Sequence, residues 1–128
     1  MGEVKRTTRQ IGALCEEQAC RYLTERGYKI RARNYTVKGG EIDIVAQDGE
    51  YIVFVEVKAR SSDCDQRRFG RPSDAVTKEK KEHFRRAVRE YLFRVGSRKK
   101  PRIDVIEIIM TEEGGNSSFD IKHFIGAF

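Results

Sequence analysis

The chain predicts an α/β domain, a mixed β-sheet with flanking helices in the order α-β-β-β-α-β-β. Two stretches, at residues 8–26 and 74–94, repeat apolar residues at helical spacing. Five shorter runs rich in Ile, Val, Tyr and Phe are bounded by Gly, Asp and Asn, as strands are. The second helical stretch separates the third and fourth of these runs, and its length suits a crossover connection.

In the first helix, Ile11, Leu14, Cys15, Ala19, Tyr22 and Leu23 form the apolar stripe and Gly27 supplies the stop. Tyr28 to Tyr35 alternates loosely, with Ile30, Ala32 and Asn34 between Lys29, Arg31 and Arg33, which suits an exposed or edge strand. Lys38-Gly39-Gly40 breaks it. Glu41 to Gln47 and Tyr51 to Arg60 read as strands joined at Asp48-Gly49, a strong two-residue hairpin signal. Residues 61–73 lack periodicity and have the composition of a polar, mobile loop. The second helix, Asp74 to Arg94, turns Phe84, Ala87, Val88, Tyr91, Leu92 and Val95 to the core and Lys78, Lys81, Arg85, Arg86 and Arg89 outward. Ile103 to Met110 and Phe119 to Phe124 are the last strands, with a turn at Glu113-Gly114-Gly115-Asn116.

At 128 residues, with no repeat or long Pro/Gly/Ser linker, the chain reads as one domain spanning 1–128. Charged residues are 36% and hydrophobic residues 38%, so a small core under a charged surface is expected. The net charge of +6 is clustered: Lys5, Arg6 and Arg9 in and beside a basic arm at 1–7, Arg67, Arg68 and Arg71 in the polar loop, and Arg98, Lys99, Lys100 and Arg102 before a strand. Such clusters attract a phosphate backbone or an anionic surface, and they also solubilise. No run approaches the ~20 apolar residues that span a bilayer, so a cytoplasmic protein with no membrane partner is expected. Cys15, Cys20 and Cys64 have no metal-type spacing and read as reduced structural thiols. A phosphate-binding Gly-rich loop, a nucleophile elbow and a zinc pattern are all absent.

The chemistry concentrates in Gly40-Glu41-Ile42-Asp43 and Phe54-Val55-Glu56-Val57-Lys58, which place charges in strands whose neighbours are apolar. With Asp48-Gly49 as the two-residue turn, Asp43 lies opposite Phe54 and Glu41 opposite Glu56. Glu41, Asp43, Ile52, Phe54, Glu56 and Lys58 then share one face, with Asp43 and Glu56 diagonal neighbours. Two such carboxylates suit a hard divalent ion, and Lys58 beside them suits water or phosphate. Glu-x-Lys also suits the wet face of an antiparallel strand. However, Val53, Val55, Val57 and Ala59 line the opposite face while Ile52 and Phe54 join the charged one, so both faces are at least half-buried. On a helical wheel Glu16 borders the apolar stripe beside Gly12 and can look along the sheet, whereas Glu17 faces water. Gly12 leaves room for another backbone or a ligand. His83 and His123 have no His or Cys at ligand spacing and are expected to stay out of any metal set.

Gly12-x-x-x-Glu16-x-x-Ala19, Arg33-Asn34, Gly40-Glu41-Ile42-Asp43, Phe54-Val55-Glu56-Val57-Lys58-x-Arg60, Phe69-Gly70-x-Pro72 and Ile103-Asp104-Val105 together resemble the YraN-type family of small bacterial proteins. That family resembles a branch of the PD-(D/E)xK, restriction-endonuclease-like superfamily, nearest to archaeal Holliday junction resolvases. The resemblance implies a restriction-endonuclease-like core and a Mg²⁺ (or Mn²⁺) site built from Glu16, Asp43, Glu56 and the Val57 carbonyl, with Lys58 activating water. Ile42 stands where the superfamily motif has Pro, so a Pro-specific backbone geometry is not implied. The implied activity is hydrolysis of phosphodiester bonds in nucleic acid, DNA ahead of RNA and branched DNA by analogy. Arg60, Lys5, Arg6, Arg9, Arg67, Arg68, Arg71, Lys78 and Lys80 would contact flanking phosphates, and a homodimer would match a two-fold junction. The alternative is a nucleic-acid-binding or assembly module whose nuclease-like site is silent.

Overall fold

A computed structural model describes residues 6–62 and 78–128 and gives the predicted order: α1 (Thr8–Glu25), β1 (Lys29–Val37), β2 (Gly40–Asp48), β3 (Tyr51–Ser61), α2 (Lys78–Val95), β4 (Lys100–Glu113) and β5 (Asn116–Phe124). Lys5, Cys64, Arg67, Arg68, Phe69, Arg71, Pro72 and the predicted first turn of the second helix lie outside the described residues. The five strands form one sheet in sequence order, parallel only between β3 and β4, where α2 makes the crossover. Among the described residues, no helix is long and apolar enough to cross a membrane.

A capping box starts α1: the Thr7 hydroxyl accepts from the Gln10 amide and the Gln10 side chain accepts from the Thr7 amide. It ends at Gly27, whose φ of +89° lets the Gly27 and Tyr28 amides fold back onto the Thr24 and Leu23 carbonyls. The stripe Cys15, Ala19, Cys20 and Leu23 packs with Ile44, Ala46, Val53, Val55, Ile106 and Ile108 on one face of the sheet. Both cysteines are free, buried thiols, as expected, and burial pushes the Cys15 thiol up to about 11, which keeps it inert. On the opposite face, Phe84, Ala87, Val88 and Tyr91 of α2 pack with Ile42, Val45, Ile52 and Phe54. Val95 was expected in this stripe but is half exposed, because the helix ends there, ahead of Gly96.

The hairpin register differs from the expected one. Asp48 pairs with Tyr51, so the turn is Gly49-Glu50 and not Asp48-Gly49. Gly49 at φ +57° is the first central residue, the place a type II′ turn reserves for glycine. Phe54 pairs with Val45 and not with Asp43, and the same register continued past the last pair, Ile44↔Val55, sets Asp43 opposite Glu56 and takes Glu41 off it.

Gly40 and Gly12 have unlike roles. A Cβ on Gly40 would collide with the His83 carbonyl oxygen and press on Ala87, so glycine here is what lets α2 rest on the start of β2. At Gly12 nothing lies within 4 Å of a Cβ position, so no backbone uses the room expected there. Gly40→Ala is expected to cost about 1–3 kcal/mol. Gly12→Ala, inside a helix, is expected to gain up to ~1 kcal/mol, and urea unfolding of the two variants checks both signs.

Candidate active site

The site begins where two strands part. The backbone ladder between β2 and β3 runs from Asp48↔Tyr51 to Ile44↔Val55, while β3 stays paired with β4 as far as Ser61↔Met110. Past Val55, the Val57 N–H points toward β2 and donates to Asp43 Oδ2 at 2.7 Å. The side chain thus takes a bond that a β2 carbonyl would otherwise accept. Because N–H and C=O of one strand residue point the same way, the Val57 carbonyl borders the same fork.

A roll of the β1–β2 ribbon aims Asp43 there. The pair Arg33↔Ile44 faces α1, where Arg33 meets Glu16 and Glu17. The pair Tyr35↔Ile42, two residues along, should share that face but sits in the α2 core. Between them lie Asn34, the single described non-glycine residue with positive φ (+52°), and Asp43. Asn tolerates this left-handed conformation better than most residues, and here it turns both strands over at Asp43.

Glu41, Asp43, Glu56, Lys80, His83 and Phe84 line a cavity of about 170 Å³ between the sheet and α2. Lys58 Nζ lies 3.2 Å from Glu56 Oε1, and both side chains are largely shielded. Burial foremost, and then the Glu56 charge, push the Asp43 carboxyl up to about 7. Glu16 and Glu41 add to the rise and the Val57 N–H opposes it.

The helical acid lies apart. Glu16 is more shielded than Glu17 (side chains 16% and 50% exposed), as the wheel predicts, but its carboxylate is 3.5 Å from Arg33 and it does not line the cavity. Among the described residues no three acidic, His or Cys side chains are grouped closely enough to hold a metal ion as they stand. Asp43, Glu56 and the Val57 carbonyl are nevertheless all hard oxygen donors, the set a Mg²⁺-type ion takes with waters and phosphate completing its shell. A cation would also relieve the repulsion that raises Asp43.

Of the expected phosphate contacts, Lys80 lines the cavity, Arg9 and Lys78 are exposed, and Arg60 is half-buried on β3. Arg6 is ion-paired with Glu112. The Arg98–Arg102 cluster is partly spent on the fold, since Lys99 donates to the Gly49 carbonyl and Arg102 to Asp104.

Sequence reasoning missed three residues. His83 was set aside for lack of ligand spacing, yet from α2 it lines the same cavity as the acids. Glu107, buried on β4, pairs in register with Lys58 on one side and Lys122 on the other. Asp104 is fully buried and accepts from Arg102 Nε and Nη2, from the Gly126 amide and from His123 Nε2 at 2.7 Å. His123 Nδ1 in turn shares a hydrogen bond of 3.1 Å with the Tyr22 hydroxyl, so this histidine is structural.

The five-stranded mixed sheet and two helices, in the order α-β-β-β-α-β-β, are compatible with a nuclease-like α/β core. The chain belongs to the family described as uncharacterised protein family UPF0102, the YraN family, whose model matches residues 15–108. It is 42% identical over 117 residues to a UPF0102 protein of Carboxydothermus hydrogenoformans, covering 91% of this chain and 92% of that one. To a UPF0102 protein of Symbiobacterium thermophilum it is 45% identical over 102 residues, covering 79% and 83%. A UPF0102 protein of Caldicellulosiruptor saccharolyticus is 39% identical over 121 residues, covering 94% and 98%.

Since the folded pKa of Asp43 lies above its unfolded value, folding loses stability as pH rises from the ordinary carboxylate range through about 7. Asp43→Asn keeps an acceptor for Val57. It is expected to raise stability by about 1–3 kcal/mol at pH 8 and by little at pH 4, read from urea unfolding at both. At Asn34, replacement by Gly is expected to be nearly neutral and by Val to cost about 1–3 kcal/mol, checked by thermal unfolding.

Proposed function

We propose that the chain is a Mg²⁺- or Mn²⁺-dependent hydrolase of nucleic-acid phosphodiester bonds, with branched DNA the favoured substrate. The observation that carries this reading is the fork: two carboxylates facing each other across parted strands, one with its pKa raised to about 7, beside a shielded lysine and a cavity. Asp43, Glu56 and the Val57 carbonyl would hold the ion, with Glu16 acting through the field it adds or through a bound water. When bound, the ion supplies Lewis acidity to the phosphate and a more acidic water. Lys58, steadied by Glu56, hydrogen-bonds the attacking water or the phosphate oxygens. Glu41 is a further acid at the rim, and Arg60, Arg9, Arg6 and Lys78 contact flanking phosphates. A two-fold junction would be met by a homodimer.

One observation favours a second reading, a nucleic-acid-binding module with a silent site. Glu16 is held by Arg33, and no three-ligand group stands ready among the described residues. That reading expects salt-sensitive binding without products.

The test incubates the protein with linear, single-stranded and branched DNA and RNA in Mg²⁺ or Mn²⁺, scoring binding and products together. Asp43→Ala and Lys58→Ala are each expected to lower cleavage by about a thousandfold or more with the fold intact. Full activity in either would sink the mechanism.

A further inference from the structure

We infer that α2 supplies the wall that grips the substrate phosphate, through Lys80 and His83, so that one phosphodiester lies between an acidic floor on β2 and β3 and a basic wall on the helix. The inference rests on the hydrolase reading for its acidic floor and adds the residues that receive the substrate.

The packing of the two layers supports it. On α2, Phe84, Ala87, Val88 and Tyr91 are buried against the sheet, and Phe54 meets Tyr91 edge-on at 5.7 Å between ring centroids. Lys80 stands one turn before Phe84, and His83 one turn before Ala87, so both continue the side of the helix that faces the sheet. On β3, Ile52 and Phe54 are followed on the same face by Glu56 and Lys58. Helix and sheet therefore change from apolar to charged at the same level, and the cavity lies between the two charged ends. Gly40 fixes how close they come, because α2 rests on it through the His83 carbonyl.

A cavity lined by acids alone would repel a phosphate. Lys80 and His83 line the cavity from α2, opposite the strands that carry the carboxylates, and both residues are solvent-exposed, so their N–H donors are within reach of a ligand. Arg86, the next basic residue on this side, sits over Gly39 at the β1–β2 turn.

The chain has only two histidines, and His123 is bonded to Asp104 and Tyr22, so imidazole NMR separates them. A short DNA duplex is titrated into the protein with Ca²⁺ in place of Mg²⁺. The His83 signals are expected to shift while those of His123 stay, which also reports an intact fold. Lys80→Gln with His83→Gln is expected to weaken DNA binding about tenfold or more, whereas Arg94→Gln, at the far end of α2, changes it little. An unmoved His83 signal at saturation, wild-type affinity in the double variant, or no DNA binding at all would each overturn the inference. A wild-type protein that shifts His83 and binds through Lys80 but yields no products in Mg²⁺ or Mn²⁺ would refute the hydrolase reading and leave the phosphate-gripping wall standing.

Discussion

The arrangement depends on one hydrogen bond, from the Val57 amide to the Asp43 carboxylate across the parting of β2 and β3. Strands that separate inside a sheet orphan backbone groups, and an unsatisfied buried N–H costs about 1–3 kcal/mol. Asp43 satisfies that group with a side chain, so the strands diverge without the penalty. The divergence opens the Val57 carbonyl and the Glu56 carboxylate to a ligand. A main-chain acceptor in its place would have zipped the strands together and closed the site.

Two aspartates in this sheet meet opposite fates. Burial raises the pKa of Asp104, but the hydrogen bonds from His123, Arg102 and Gly126 outweigh it, and the carboxyl is held below the ordinary range. That group ties β4 to the last turn of the chain and has its acceptor capacity filled. Asp43 accepts from the Val57 amide and has three acids nearby, and it is held above the ordinary range. The contrast separates structure from chemistry, since a satisfied network rigidifies whereas an unsatisfied charge is stabilised by a ligand that brings the missing countercharge. A domain that only needed to fold would be more stable at neutral pH with Asn at position 43.

Much of this was legible in the sequence because it is local. The helices follow from period and from the Gly27 stop, and the hairpin from its glycine. The turn lies one residue later than Asp-Gly suggests, which moves every β3 partner by two positions. A shift of two preserves the face, so Asp43, Glu56 and Lys58 remained together although the pairs were different. What was not legible is what contacts decide at a distance. Ile42 crosses to the α2 core only because Asn34 adopts a left-handed backbone on the neighbouring strand, and straight alternation contains no sign of that. His83 gave no signal because its partners lie some 27 to 42 positions earlier in the chain, as read from Glu41, Asp43 and Glu56. Asp104 stood in the sequence only as part of the Ile103-Asp104-Val105 motif, and its role comes from Arg102, His123 and Gly126, which close around it in the fold.

The segment Gly40-Glu41-Ile42-Asp43 thereby divides four tasks among four adjacent residues. Gly40 has no side chain, so α2 can descend until the His83 carbonyl nearly touches the strand, and that brings Lys80 and His83 over the acids. Ile42 is fully buried in the α2 core and holds the ribbon in its rolled state. Glu41 and Asp43, on either side of it, line the cavity, one exposed at its rim and one half-buried at the fork. A bulkier residue at 40 would lift the helix and widen the cavity, and a polar residue at 42 would release the roll that aims Asp43. The carboxylate pair alone is therefore an incomplete description of the site. What distinguishes it from two acids on a wet strand is the apolar residue between Glu41 and Asp43 and the glycine before them, which bring a helix down onto the fork.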